Sequence, residues 1–386
     1  MLTVWPIASS NAAVFQRDGK TPFVNLIVQL HMVVSPQMGW ALTTHGVART
    51  EDGGHVWAAV GPPSFKSLDD GCSRYGSEMA FDAVGPAQAW VALTCRGRTK
   101  NGHAVVRLWR TSNRGALWHF TLQSLPEPQG GIAAVSLDFV DRRVHWLELS
   151  SGCPCRIGGE LPGVVDISRT FDSGRTWHRL PQPPHGLAIL GFQMHGRGYA
   201  VVQTGIAYTG TDFTDTDFGH FPYVTRNGGW SWRRRTVPAP ISRVSQVTTG
   251  QAAFNGRLRA VIPVSFVAGA QSFFTTFRTA DGGLSWSHGR ILRQPTPYGW
   301  GRYFLNSRDG WVSGGVPSGL RATTDGGRSW RLLNRHAGMD WQFQFVTPKV
   351  GFAVDTAITD FDGGILRTND GGRYWAEFSA RLAGSG

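Results

Sequence analysis

The chain has 386 residues, 41% of them hydrophobic, 17% charged and 12% aromatic, with 50 glycines and 16 tryptophans. Glycine and proline interrupt every apolar run, so helical bundles and coiled coils are excluded and an all-β class is expected. The formal charge of +12 favours anionic partners, although it would also serve solubility alone.

The 38 Lys and Arg are dispersed, with Arg233-Arg234-Arg235 the one short run. Nucleic acid is therefore not the expected partner. No run approaches the ~20 apolar residues that cross a bilayer. Residues 1–26 read as a separate N-terminal segment. Met1 to Phe15 is apolar but lacks a positively charged start, so it reads either as a signal remnant, with Ser10-Asn11-Ala12 at the cleavage site, or as an additional strand. Residues 27–380 read as one repeat domain and 381–386 as a tail.

In chain order the first predicted strands are Leu26-Ile27-Val28, Gly39-Trp40-Ala41-Leu42 and Gly46-Val47-Ala48-Arg49. The turn Thr50-Glu51-Asp52-Gly53-Gly54-His55-Val56-Trp57 follows. This pattern of Thr, any, Asp or Asn, any, Gly, any, any, Trp recurs seven times. The acid or amide and the Trp are Asp52 and Trp57, Asn113 and Trp118, Asp172 and Trp177, Asn227 and Trp232, Asp281 and Trp286, Asp325 and Trp330, and Asp370 and Trp375. Steps between the tryptophans are 61, 59, 55, 54, 44 and 45 residues, each long enough for four short strands and their loops. Similar second strands precede later copies at Ala89–Leu93, Val144–Leu147, Gly198–Val202, Leu258–Val264, Gly310–Val312 and Gly351–Val354. In each copy the Thr ends a strand and the Asp or Asn oxygen accepts from turn amides. The Gly takes a backbone conformation that a Cβ would disfavour, and the Trp lays an apolar face between neighbouring sheets. Copy two has Arg114 where most copies carry a first glycine, so its turn is the least typical.

These copies resemble Asp-box (BNR) repeats, and the resemblance spans nearly the whole chain. It implies a single seven-bladed β-propeller of four-stranded antiparallel blades. It places each box between third and fourth strands, on the rim away from the usual binding face. The run Gly39-Trp40-Ala41, then Gly46, then Arg49-Thr50-Glu51-Asp52-Gly53-Gly54-His55-Val56-Trp57 is similar to the photosystem II assembly-factor type within the sialidase-like propellers. That similarity implies a non-catalytic binder, and it says nothing about the host.

Function is expected in the loops of the opposite face. Gly61–Ser77, Cys95–Ala104, Ser150–Pro162, Thr204–Pro222 and Arg293–Tyr303 are the long ones. Arg74, Arg96, Arg98, Lys100, Arg156, Arg293 and Arg302 collect there, with Trp300 and Tyr303 beside them. Two readings are open: a cationic, aromatic-lined surface for an acidic protein or acidic glycan, or solvated loop charges. Trp341, like Trp300, is little explained by packing. Cys72 and Cys95 are candidate disulfide partners, against free buried thiols as the alternative. Cys153-Pro154-Cys155 is too close for an ordinary bridge, and a four-thiolate metal site lacks paired CxxC spacing.

A sialidase needs an arginine triad and an early Arg-Ile-Pro, which is absent, and those enzymes have six blades. A xyloglucanase-like hydrolase needs two opposed carboxylates about 5–10 Å apart in a cleft between two propellers. Asp212, Asp215 and Asp217 are loop acids that read as a solvated cluster rather than a calcium or catalytic set. The expectation is a monomeric, extracytoplasmic binding or scaffolding propeller with no cofactor or metal, and a glycoside hydrolase as the alternative.

Overall fold

The computed structural model describes residues 27–43, 46–62, 77–95, 102–127, 132, 134–139, 141–150, 165–181, 187–193, 197–203, 223–235, 237–238, 240–241, 244–250, 252–294, 301–314, 318–335, 341–355 and 365–383. Among these the secondary structure is β strand. The first sheet contains β1 (Ile27–Ser35), β2 (Met38–Thr43), β3 (Gly46–Thr50) and β4 (Val56–Gly61). The second has β5 (Ser77–Val84), β6 (Gln88–Cys95), β7 (His103–Thr111) and β8 (His119–Pro126). The third has β9 (Ala134–Phe139), β10 (His145–Ser150), β11 (Val165–Thr170) and β12 (His178–Arg179). The fourth has β13 (Leu187–Gln193), β14 (Arg197–Gln203), β15 (Tyr223–Thr225) and β16 (Arg233–Arg234). The fifth has β17 (Val244–Thr249), β18 (Ala253–Asn255), β19 (Arg259–Ala268), β20 (Gln271–Thr279), β21 (Ser287–His288) and β22 (Leu292–Gln294). The sixth has β23 (Arg302–Phe304), β24 (Gly310–Val312), β25 (Leu320–Thr323) and β26 (Arg331–Asn334). The seventh has β27 (Trp341–Phe345), β28 (Gly351–Asp355), β29 (Ile365–Thr368) and β30 (Ala376–Phe378). Finally, β31 (Arg381–Leu382) returns to pair in parallel with β4.

The expectation of seven uniform four-stranded antiparallel blades is corrected by this topology. Six sheets are wholly antiparallel, whereas the first is mixed and five-stranded because β31 joins it. The fifth carries six strands. Residues 381–382 therefore belong to a sheet rather than to a tail. The physical reason is edge protection: β4, Val-Trp-Ala-Ala-Val-Gly, has no charge to discourage pairing, and the chain end covers it.

Side chains alternate between the two faces of a strand, so a strand with neighbours on both sides reads as a continuous apolar run. In β2, Trp40 and Leu42 pack on Phe81, Ala83 and Val91 of the second sheet. Ala41 faces the other way, with Phe352, Val354 and Ile365 of the seventh. The same straddling joins Trp90 and Leu108 to Val135 and Leu147, Val224 to Ile262 and Phe277, and Trp311 to Phe343 and Phe345. The first and last sheets thus meet, and the sheets close into a propeller ring.

The recurring turns hold one geometry in every copy. The Thr hydroxyl donates to the Asp or Asn side-chain oxygen two residues on, at 2.7–3.0 Å. It also accepts from the Gly amide four residues on, at 2.8–3.0 Å. The fourth position has positive φ throughout, even where it is Arg114 (66°) or Ser173 (65°). Each non-glycine there costs about 1–2 kcal/mol, which the surrounding hydrogen bonds offset. The atypical second copy therefore forms the same turn as the others.

The turns also lock sheet to sheet. Trp90 Nε1 donates to Ser173 O at 3.3 Å, Trp146 to Gly228 O at 3.0 Å, and Trp311 to Gly371 O at 2.9 Å. In each case a second-strand Trp reaches the fourth position of a neighbouring sheet's turn. Arg169 lies 4.6 Å over the Trp146 ring, and a Cβ on Gly228 would overlap its guanidinium. Glycine is required at 228 for both its φ of 74° and this close approach.

Asp172 gives a direct test of the turn. Burial pushes its carboxyl up, but this is outweighed by hydrogen bonds from the Thr176 amide and hydroxyl, the Thr170 hydroxyl and the Arg175 amide, which hold it at about 2. Its stabilisation is present above about pH 4 and is lost as pH falls through about 2. Asp172→Ala is expected to cost about 1–2 kcal/mol at pH 7, allowing for solvent screening. Urea melts of wild type and variant should converge near pH 2; a constant difference down to pH 2 would refute the charged-acceptor role.

Candidate functional site

Each third strand runs into a recurring turn, so the starts of third strands lie at the opposite end of the ring. Backbone contacts fix the turns at their own end: Gly53 N donates to Gln37 O in the β1–β2 turn, and Gly326 N to Arg308 O in the β23–β24 connection. At the opposite end the fifth and sixth sheets meet along a polar seam. Register places Arg302 of β23, Val312 of β24 and Arg321 of β25 side by side on one face of the sixth sheet. Tyr303 and Trp311 point the other way, into the core shared with the seventh. The facing side of the fifth sheet carries Ser265, Phe274, Ser272 and Gln294, aligned across β19, β20 and β22.

Arg302 Nη1 donates to Ser265 Oγ at 3.1 Å across the seam. Its Nε is buried without a hydrogen-bond partner. Burial lowers its pKa to about 10, and among the described residues no carboxylate forms an ion pair with it. Arg321 is buried nearby and donates to Gly314 O. Gln294 is 4% exposed, and its Oε1 has no partner.

Of the residues expected on a basic loop surface, Arg293 is exposed on β22. Arg302 is not a loop charge: it sits in a strand and points between sheets. Tyr303 is also internal; burial pushes its hydroxyl up to about 12 despite a hydrogen bond with Gln344. Arg74, Arg96, Arg98, Lys100, Arg156 and Trp300 lie outside the described residues, as do Asp212, Asp215 and Asp217. Trp341 opens β27. Cys95 is disulfide-bonded and no described cysteine is free. Cys72, Cys153 and Cys155 lie outside the described residues.

Sequence reasoning missed Arg321 and Gln294. Their signal was a charged or amide residue inside a strand that otherwise reads as buried. It also missed an acidic pair in the third sheet. Ser136 and Asp138 of β9 and Glu148 of β10 share the face that carries Trp146. Burial, joined by the charge of Asp138, pushes Glu148 to about 8, although the Ser136 hydroxyl donates to its Oε2 at 3.1 Å. Asp82 in β5 is likewise raised to about 7 by burial, while accepting from the Ala83 and Phe139 amides. No group of three or more metal-ligating side chains occurs among the described residues. No described helix is long and apolar enough to cross a membrane.

Fold and strand order define a β-propeller. No protein-family model matches the chain, and no curated protein matches it in sequence. Solved structures do. YCF48 bound to D1 peptide aligns over 89% of this chain and 91% of its own, with 16% identity and a TM-score of 0.50. An ulvan lyase of polysaccharide lyase family PL25 aligns over 88% and 91%, with 11% identity and a TM-score of 0.47. The Hadza microbial sialidase Hz136 aligns over 89% of this chain and 66% of its own, with 12% identity and a TM-score of 0.43. At these identities the likeness is one of fold.

Proposed function

We propose that the protein is a non-catalytic binding or scaffolding propeller that takes an acidic protein segment or acidic glycan at the end away from its recurring turns. The observation that carries this reading is the unpaired Arg302 at that end, with Arg321 on the same sheet face; Arg293 is exposed on the other face of β22. The net charge of +12 has the sign that such partners require. The loops with Arg74, Arg96, Arg98, Lys100, Arg156 and Trp300 would extend the surface. That YCF48 has been seen with a bound peptide is consistent with a protein partner. The disulfide at Cys95 favours an oxidising, extracytoplasmic setting, and Cys72 is the partner we propose for it.

The test is an array of acidic and neutral glycans and acidic peptides, read at low and moderate salt. Binding should weaken with salt. Arg96→Ala with Arg98→Ala should reduce affinity about tenfold, each rim charge contributing up to about 1 kcal/mol. Unchanged affinity in that double variant would remove these arginines from the surface.

The second reading, a glycoside hydrolase, is favoured by one feature: Glu148 is held protonated beside Asp138, as a general acid would be. Release of reducing sugar from any glycan, abolished by Glu148→Gln, would establish it over the binder.

A further inference from the structure

We infer that the seam between the fifth and sixth sheets is a binding site for a single oxyanion group, held by the Arg302 guanidinium with Arg321 supporting the field. This deepens the proposed function and rests on it for the expectation that the natural ligand is acidic.

A guanidinium taken out of water without a counter-charge is costly, and buried arginines are ordinarily paired with carboxylates. Arg302, partly buried with its Nε closed off from solvent, departs from that pattern. It sits on the edge strand β23 of its sheet, and its hydrogen bond among the described residues is to a neutral hydroxyl, Ser265 Oγ. Its Nε donor is left over. A Cβ at Gly250 would come within 2.8 Å of this Nε, so the glycine leaves the guanidinium the space it occupies. Arg321 projects from the same sheet face, two strands further out, roughly 10 Å away at ordinary strand spacing. The opposing sheet face contributes Ser265, Ser272 and Gln294, all buried and all uncharged. The Gln294 amide is a second polar group with an unused valence.

Such a seam sets a guanidinium among neutral polar groups, and a planar or tetrahedral oxyanion reaching it would accept from the guanidinium fork. A carboxylate would come from an acidic peptide or a uronic acid, and a sulfate from a sulfated glycan. The free Gln294 oxygen adds an acceptor for a hydroxyl or amide N–H next to the anion, which either source supplies.

The experiment compares thermal midpoints in sodium acetate, sodium sulfate and sodium chloride at equal ionic strength. Wild type should melt about 2 °C higher in acetate or sulfate than in chloride, rising to a plateau with concentration. Acetate alone would identify a carboxylate ligand and sulfate alone a sulfate ester. In Arg302→Met the gain over chloride should vanish, while the midpoint in chloride stays equal or rises because an uncompensated buried charge is gone. An unchanged gain in Arg302→Met would show a general salt effect and overturn the site, as would no gain in wild type. The Arg96→Ala, Arg98→Ala variant should keep the gain. If it keeps both the gain and full partner affinity, the loop-face reading fails and the seam site stands.

Discussion

Replacing Trp57 by alanine is expected to destabilise the protein by about 3–5 kcal/mol, more than any other motif tryptophan. Its indole is fully buried and packs among Ala41, Ala48, Phe352, Val354 and Ile365, where the last sheet meets the first. Its Nε1 donates to Gly54 O at 2.7 Å. Its backbone O accepts from Ala383 N, and its strand carries β31. Loss of the ring therefore removes core area and loosens the strand that ties the chain end to its beginning. Urea unfolding should show the lower midpoint, and hydrogen exchange should show early opening of residues 376–383. Trp230, 49% exposed in its turn, is the control, and its alanine variant should stay within about 0.5 kcal/mol. Equal effects at the two positions would refute ring closure as the role of Trp57.

The second large effect is a loss of stability on raising the pH. Glu148 is pushed to about 8 and Asp82 to about 7, from ordinary values of 4.5 and 3.8. The native state keeps protons on these groups that the unfolded chain has already released. Their contribution is fully present below the unfolded values and declines as pH rises through the folded ones. Between about pH 5 and 7 both groups act, and between 7 and 8 Glu148 acts alone. Each proton so held is worth up to about 1.4 kcal/mol per pH unit. Glu148→Gln keeps an acceptor for Ser136 and removes the ionisation. It should flatten the fall in stability above pH 7 and leave the variant more stable than wild type at pH 9. Chemical denaturation at pH 5, 7 and 9 measures this, and parallel curves for the two proteins would sink the assignment.

The recurring turns were legible because their interactions are local. Thr170, Asp172, Gly174 and Thr176 satisfy one another within seven residues, so spacing alone predicts the hydrogen bonds. Even Arg114 follows, since the hydrogen bonds of Thr111 and Asn113 hold its backbone at φ 66°. The basic surface was legible only in part. Loop position suggested that Arg293 and Arg302 stood together on a face, and Arg293 is exposed. Arg302 begins a strand three residues long, and in so short a strand no alternation reveals which way a side chain points.

The amino-acid sequence by itself determined the turn chemistry, the all-β class and the second strands. These follow from residues a few positions apart and from strands whose two faces are both covered. Tertiary structure alone decided the rest. Trp90, Trp146 and Trp311 donate to carbonyls 60–83 residues distant, and β31 closes on a strand more than 300 residues earlier. The Arg302 guanidinium meets the Ser265 hydroxyl 37 residues before it. Whether a charge is solvated or buried depends on which sheet stands opposite, and that is settled by the closing of the ring.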